Sequence, residues 1–350
     1  MLVNFDFFSH GSGDYFDVDS YSGVVNYEEI PNYRSDTTGE EFELRDTLDF
    51  RPRVDDASTI TSDLVARSYD GTGASPVDIP KFNSDITSDL DLDGDYVLSG
   101  QLQVKDGATL TIAAGSNIYA LSDDGNGNAP AIIVWQGGKI EAVGTASAPI
   151  IMTSVIARDE PDRLPIVGGR AWGGLIICGY APIQGGGTRT VEGVASVPYG
   201  GTDAADDSGT LRYVSVRYGG RAIAPDNEIN GITLAGVGNG TTVDHCEVAY
   251  NLDDGFEMFG GTVNLRHCSA LWVGDDGFDT DEGYTGKGQF LFAVQGEQRS
   301  GRNYEMDSKF DSKFPRSMPQ FANVTLLGPG SHSNPPAGEG ADENVRLREG

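Results

Sequence analysis

Eight carboxylates crowd into one short stretch: Asp253, Asp254, Glu257, Asp275, Asp276, Asp279, Asp281 and Glu282, with Glu305 and Asp307 a little further on. Each acid from 253 to 257 has a counterpart 22 residues later, so the cluster reads as one motif stated twice. If the two copies stack as neighbouring strands, equivalent carboxylates stand ~4.8 Å apart. At that separation two charges repel by ~1 kcal/mol even in water. Such a ladder calls for protonation or for a hard cation with oxygen ligands, and Ca²⁺ fits best. The candidate ligands are Asp253, Asp254, Glu257, Asp275, Asp276 and Asp279. Paired carboxylates are also what glycoside hydrolysis uses, which makes Glu257, Asp276 and Asp279 weak catalytic candidates. A lyase would add a basic group to take a proton, for which Arg266 and Lys287 lie nearest in sequence. The plain alternative is that Asp-Gly makes a turn at each repeat and the remaining acid is solvated.

Other residues carry weaker signals. Asp89, Asp91, Asp93 and Gly94 match the first half of an EF-hand loop, but its twelfth position is Gly100 and no helices flank it. They read as the polar lead-in to the first repeat. Cys246 and Cys268 take the same slot in adjacent copies, within disulfide reach, although small buried cysteines commonly line cores. His245 and His267 are expected to stack on the outer face of the same strand, and two imidazoles without a further His or Cys do not make a zinc site. Trp172 and Trp272 read as core or edge packing rather than as sugar platforms.

The repeat itself dictates the architecture. TVDHCEVAYNLDDGFEMFGG (242–261) is followed at once by TVNLRHCSALWVGDDGFDTDEG (262–283). An earlier copy is LRYVSVRY (211–218), with Val214 in the cysteine slot and NGITL (230–234) in the place of DGFEM; a looser one is NYEMD (303–307). Units of 22 residues with short strands and no helical periodicity cannot close on themselves, and stacking them buries one continuous core. The fold class is therefore all-β, a right-handed parallel β-helix, the hand following from the preference of parallel crossovers. Residues 211–216, 243–248 and 265–270 should be parallel strands of one sheet. Alternation turns Phe256, Met258, Phe278 and Thr280 inward. It turns Glu257 and Asp279 outward, one above the other, on a flat, solvated face where the two surroundings would be equivalent.

Composition sets the outer limits. The chain has 24 basic and 53 acidic residues, 24 − 53 = −29, and no basic stripe, which argues against nucleic acid. No apolar run reaches the ~18 residues of a membrane span, and the first residues lack the pattern of a signal peptide. Three cysteines are too few for a disulfide scaffold. Residues 1–60 are aromatic and acidic, 61–85 read as a polar linker, and 86–350 carry the strand-and-turn texture, with VRLREG (345–350) beginning another coil.

Two resemblances follow from particular motifs. GATLTI (107–112), GGKIEAVGTASAPIIMTS (137–154), WGGLIICGYAPI (172–183), SGTLRYVSVRYGG (208–220), NEINGITLAGVGNGTTVD (227–244) and DDGFEMFGGTVN (253–264) resemble a family of bacterial surface and secreted parallel β-helix proteins. Within residues 4–56, FDVDSYSG (16–23), VNYEEIPNY (25–33) and LRDTLDFRPR (44–53) are similar to a segment of virion structural proteins from contractile-tailed cyanophages. Together they imply a virion tail appendage that docks through residues 1–60 and presents a β-helical shaft. Its expected partners are other virion or surface-assembly subunits in an oligomer, and the shaft could bind host-surface glycans. A carbohydrate-active enzyme and a bacterial extracellular structural protein are the alternatives. Gly274-Asp275-Asp276 is similar to the paired aspartates of polygalacturonases, but the Gly-His-Gly and Arg-Ile-Lys motifs of that family are missing.

Overall fold

The computed structural model describes residues 78–79, 85–121, 128–159, 172–194, 196–221, 229–296, 301–309, 312–328 and 344–348. The docking segment expected at 1–60 lies outside these residues, as does most of the linker at 61–85. Strand pairing already begins inside that linker, where Asp78–Ile79 runs parallel to Asp95–Leu98.

The chain winds as a parallel β-helix with three faces. Strands of the first face include Leu90–Leu92, Thr109–Ile112, Lys139–Val143, Gly209–Arg212, Thr242–Asp244 and Asn264–Arg266. The second face includes Asp95–Leu98, Asn117–Ala120, Ile150–Ser154, Val214–Arg217, Glu247–Ala249 and Ser269–Leu271. Lys287–Val294 and Gln320–Leu327 run through both, joining them into one 15-stranded sheet. The third face is a separate sheet of nine strands, among them Ala131–Val134, Leu175–Cys178, Ile232–Ala235, Phe256–Phe259, Phe278–Asp281, Tyr304–Met306 and Val345–Leu347. The register is that of the repeat, with Thr242 opposite Asn264, Glu247 opposite Ser269 and Phe256 opposite Phe278. Among the described residues the only α-helix is the five-residue Val155–Asp159, and none is long and apolar enough to cross a membrane.

The strands expected at 211–216, 243–248 and 265–270 are parallel and stacked, but each is two strands with a corner between. The corner is a single residue in the left-handed region: Tyr213 (φ 49°), His245 (φ 55°) and His267 (φ 51°), continued by Phe290 and Asn323. A non-glycine residue held there costs ~1–3 kcal/mol. Ring stacking offsets part of that cost, since aromatic pairs are worth ~0.5–1.5 kcal/mol beyond their buried area. Tyr213, His245, His267 and Phe290 form a continuous pile with centroids 4.5, 4.2 and 4.9 Å apart. A second pile, Tyr218, Tyr250 and Trp272, lines the next corner in the same left-handed conformation.

Inside the coil, Leu102, Ile132, Leu175, Ile232, Phe256 and Phe278 succeed one another without exposed surface. Phe256, Phe278 and Tyr304 stack at centroid distances of 5.0 and 5.0 Å. Trp172 is fully buried, its Nε1 donating to the Arg217 carbonyl at 2.7 Å, and Trp272 is buried in its pile, so neither offers a sugar platform. Cys178, Cys246 and Cys268 are free and buried.

The outer side of the third face departs most from expectation. Between Cys178 and Gly209 the chain leaves the coil, forms an antiparallel hairpin of Arg189–Thr190 and Pro198–Tyr199, and lies back over that face. Ile183, Val191, Val194, Val197 and Tyr199 pack on the outward Ile133, Ile176, Cys178, Ala235 and Phe259 as a second apolar cluster. The face that carries the acidic motif is walled on one side rather than flat.

Candidate functional site

The acidic motif is assembled by two alternating strands and the turn before each. With Phe256 and Met258 committed to the core, Glu257 must point out, and Asp279 sits directly beside it in the next coil. Thr233 precedes this ladder, and Glu305 and Arg346 continue it. In the turns, Asp254 takes the position that Asn230 holds one coil earlier, and Asp276 follows. Asp254 Oδ1 accepts the Asp276 amide at 2.8 Å, and Asp276 Oδ1 accepts the Arg302 amide.

Solvation is where the sequence-based expectation fails. Glu257, Asp254 and Asp276 are 7%, 6% and 4% exposed. Asp253 and Asp279 are half-buried, and only Asp275 lies at the rim. Nor are the surroundings of Glu257 and Asp279 equivalent. Asn230 Nδ2 donates to Glu257 Oε2 and lies 3.4 Å from Glu192 of the overlying insertion. Asp279 Oδ1 is buried without a hydrogen-bond partner, as is the side-chain oxygen of Asn230.

These acceptor oxygens converge. Asp254, Glu257 and Asp279 each bring an oxygen within 4.8 Å of the others, and so do Asp253, Asp254 and Asp275. Burial, reinforced by neighbouring carboxylates, raises the carboxyls of Asp254, Glu257 and Asp279 well above the usual range. Asp276 is pushed up to about 8 by burial and by Asp275 and Asp279, with Arg302 opposing.

The flanking acids behave differently because cations reach them. Glu282 is buried yet held below its ordinary value, since Lys309, Tyr199 and Arg189 outweigh the desolvation. Its oxygens accept Lys309 Nζ at 2.8 Å and Tyr199 Oη at 2.6 Å, tying the insertion to the coil. Glu305 pairs with Arg302 at 2.8 Å and with Arg348, and Asp307 lies 3.4 Å from Arg348. Five of the six expected cation ligands fall into these two converging groups, whereas Asp276 accepts the Arg302 amide and lies in neither. Glu282, Glu305 and Asp307 serve as structural ion pairs.

Other candidates are separated. Arg266 and Lys287 lie exposed on the first face, so neither can take a proton beside the third-face acids. Asp89, Asp91 and Asp93 are exposed, and Asp89 Oδ1 accepts the Thr109 amide at 2.9 Å. No metal-compatible group forms there among the described residues. Two site residues were missed in the sequence. Asn230 was in reach, because NGITL aligns with DGFEM and puts Asn in the Asp254 slot. Glu192 comes from the insertion, which follows no repeat.

Residues 83–350 match the family described as pectate-lyase-like beta helix domain. No curated protein and no solved structure matches the chain.

Proposed function

Since the chain belongs to the pectate-lyase-like β-helix domain family, we propose that it is a glycan-binding shaft that holds Ca²⁺ on its third face. One observation carries this reading: Asp254, Glu257 and Asp279 bury converging oxygens, and Asp279 Oδ1 and Asn230 Oδ1 lack hydrogen-bond partners. Once ionised, these carboxylate oxygens only accept, and such oxygens gathered away from water are the donor set of a hard cation. Ca²⁺ takes 6–8 oxygens, more than these residues supply, so water or a ligand hydroxyl or carboxylate completes its shell. That requirement links the metal to the glycan. A chain of net charge −29 repels acidic polysaccharide, and a shared cation turns the repulsion into attraction. The motifs within 4–56 support placing the shaft on a virion tail, with other virion or surface-assembly subunits as partners in an oligomer.

The test is thermal unfolding with calcium and with chelator, alongside binding of acidic polysaccharide in both. Calcium at ~100 times its Kd should add ~2.7 kcal/mol. For a domain of this size that is a rise in Tm of about 5 °C. Glycan retention should require calcium, and Asp279→Asn should remove both effects. Unchanged melting would return the cluster to a set of buried neutral acids.

A carbohydrate-active enzyme is the second reading. It is favoured by the wall over the third face, which gives a bound sugar an opposing surface. Glu257 and Asp279 are both raised in pKa, so the acid and base roles of a glycosidase would have to be separated by the substrate. Reducing-end and unsaturated-uronate assays decide it. Turnover lost in both Asp279→Asn and Glu257→Gln would establish catalysis, and its absence with binding intact supports the shaft.

A further inference from the structure

The corner between the first and second faces holds a second group of donor atoms. Asp244 ends the strand Thr242–Asp244, and His245 is the left-handed corner residue that follows it. His267 occupies the same corner one coil on, its ring 4.2 Å from that of His245. Both Nδ1 atoms turn to the same carboxylate oxygen. His245 Nδ1 stands 2.8 Å and His267 Nδ1 2.9 Å from Asp244 Oδ1, and all three residues bring donors within 4.8 Å of one another.

One carboxylate oxygen does not satisfy both rings. His267 makes a hydrogen bond to it, whereas His245 Nδ1 is buried and lacks hydrogen-bond geometry despite its proximity. The other carboxylate oxygen, Oδ2, lies 3.5 Å from Nη2 of the half-exposed Arg212, which leaves Oδ1 to the imidazoles. Tyr213 and Phe290 stack on the outer sides of the two rings. A carboxylate supported by a second residue, beside two oriented imidazoles, is the arrangement found around protein-bound transition metals.

We infer that Asp244, His245 and His267 form a His₂–carboxylate site for a divalent first-row transition metal, zinc being the best fit. Zinc takes nitrogen at ~2.0–2.1 Å and carboxylate oxygen at ~2.0–2.2 Å, which sets neighbouring donors about 3–3.4 Å apart. The observed N···O separations need to open by a few tenths of an ångström, and the two rings, now 28° apart, must tilt further so that one ion lies in both ring planes. Three protein ligands leave a fourth position for water or for a donor from a bound molecule. Two imidazoles alone do not hold zinc, and the fold adds a carboxylate as third ligand from Asp244, next to His245. This site is chemically distinct from the third-face cluster, which offers oxygen alone and suits calcium.

Titration of the metal-free full chain with Co²⁺, read by visible absorption, and displacement of cobalt by Zn²⁺ test the assignment. One equivalent should bind with a nitrogen-containing spectrum, and zinc should displace it. His267→Phe keeps an aromatic ring in the pile, as Phe290 does, so melting should change little while cobalt binding is lost. Asp244→Asn should weaken binding by more than the ~10–100-fold typical of losing an outer-shell partner, because it removes the charge of a direct ligand. Asp279→Asn should leave it intact. Zinc X-ray absorption of the unaltered protein gives a readout independent of any variant and should show two imidazole shells. Lack of binding at about 100 µM metal, an all-oxygen shell, or binding that survives His267→Phe would overturn the site.

Discussion

With calcium chelated, the protein should melt at a higher temperature at pH 5 than at pH 8, and with calcium present the order should reverse. The sign comes from the third-face carboxyls. Asp276 is pushed up to about 8, and burial and mutual repulsion hold Asp254, Glu257 and Asp279 well above their ordinary range. In the unfolded chain such groups titrate near ~4. Between those limits the folded state binds more protons than the unfolded one, so stability falls as pH rises. Asp276 alone spans about four pH units, at most ~5 kcal/mol by linkage, and relaxation with water entry reduces this to a few. Glu282 has the opposite sign, because its pKa is depressed. Its contribution is present above its unfolded value of ~4.3 and is lost only in more acid solution, outside the pH 5–8 window. Bound calcium stabilises the ionised ligands, so its contribution grows with pH. Calorimetry at pH 5, 6.5 and 8 in chelator and in calcium measures both slopes. Chelated melting that climbs from pH 5 to 8 would mean the acids are charged and paired by other means. Asp279→Asn should flatten the chelated slope, since it removes one of the groups that repel.

Phe278→Ala should cost ~3–5 kcal/mol, the range for losing a fully buried aromatic side chain. Its ring lies between Phe256 and Tyr304 at 5.0 Å from each, with no exposed surface. Tm should fall by ~10 °C. The calcium-dependent rise should vanish with it, because Phe278 is the residue before Asp279 and its stack keeps Asp279 in register with Glu257. Phe278→Leu should lose under ~1.5 kcal/mol and retain the calcium effect. Equal calcium responses in wild type and Phe278→Ala would show that the acidic ladder does not depend on the core stack beneath it.

Much of this was legible in the residue pattern. The 22-residue offset of Cys246 and Cys268 gave the coil period, and alternation around Phe256 and Phe278 placed Glu257 over Asp279. The cover on the third face was missed, although a clue was present. AIIV at 131–134 and LIIC at 175–178 are apolar at every position, which marks a strand buried on both sides. Alternation accounts for Ile132 and Ile177 but not for Ile133 and Ile176, which need the hairpin above them. What covers them could not be read, because the insertion obeys no repeat and its contacts with the coil, such as Tyr199 to Glu282, join residues far apart in sequence. The left-handed corners were hidden for a different reason. That conformation usually advertises itself through glycine or asparagine, and here Tyr, His and Phe hold it through stacking that exists only between coils.

The uniform register between residues 242 and 283 also makes the shaft a ruler. Each 22-residue unit ends where the next begins and pairs with its neighbours through the same positions. A gene that duplicated one unit in frame would lengthen the shaft by ~4.8 Å without asking any existing side chain to change partner type. It would also add an Asp-Asp turn and a corner residue. Copy number would then set reach and charge together.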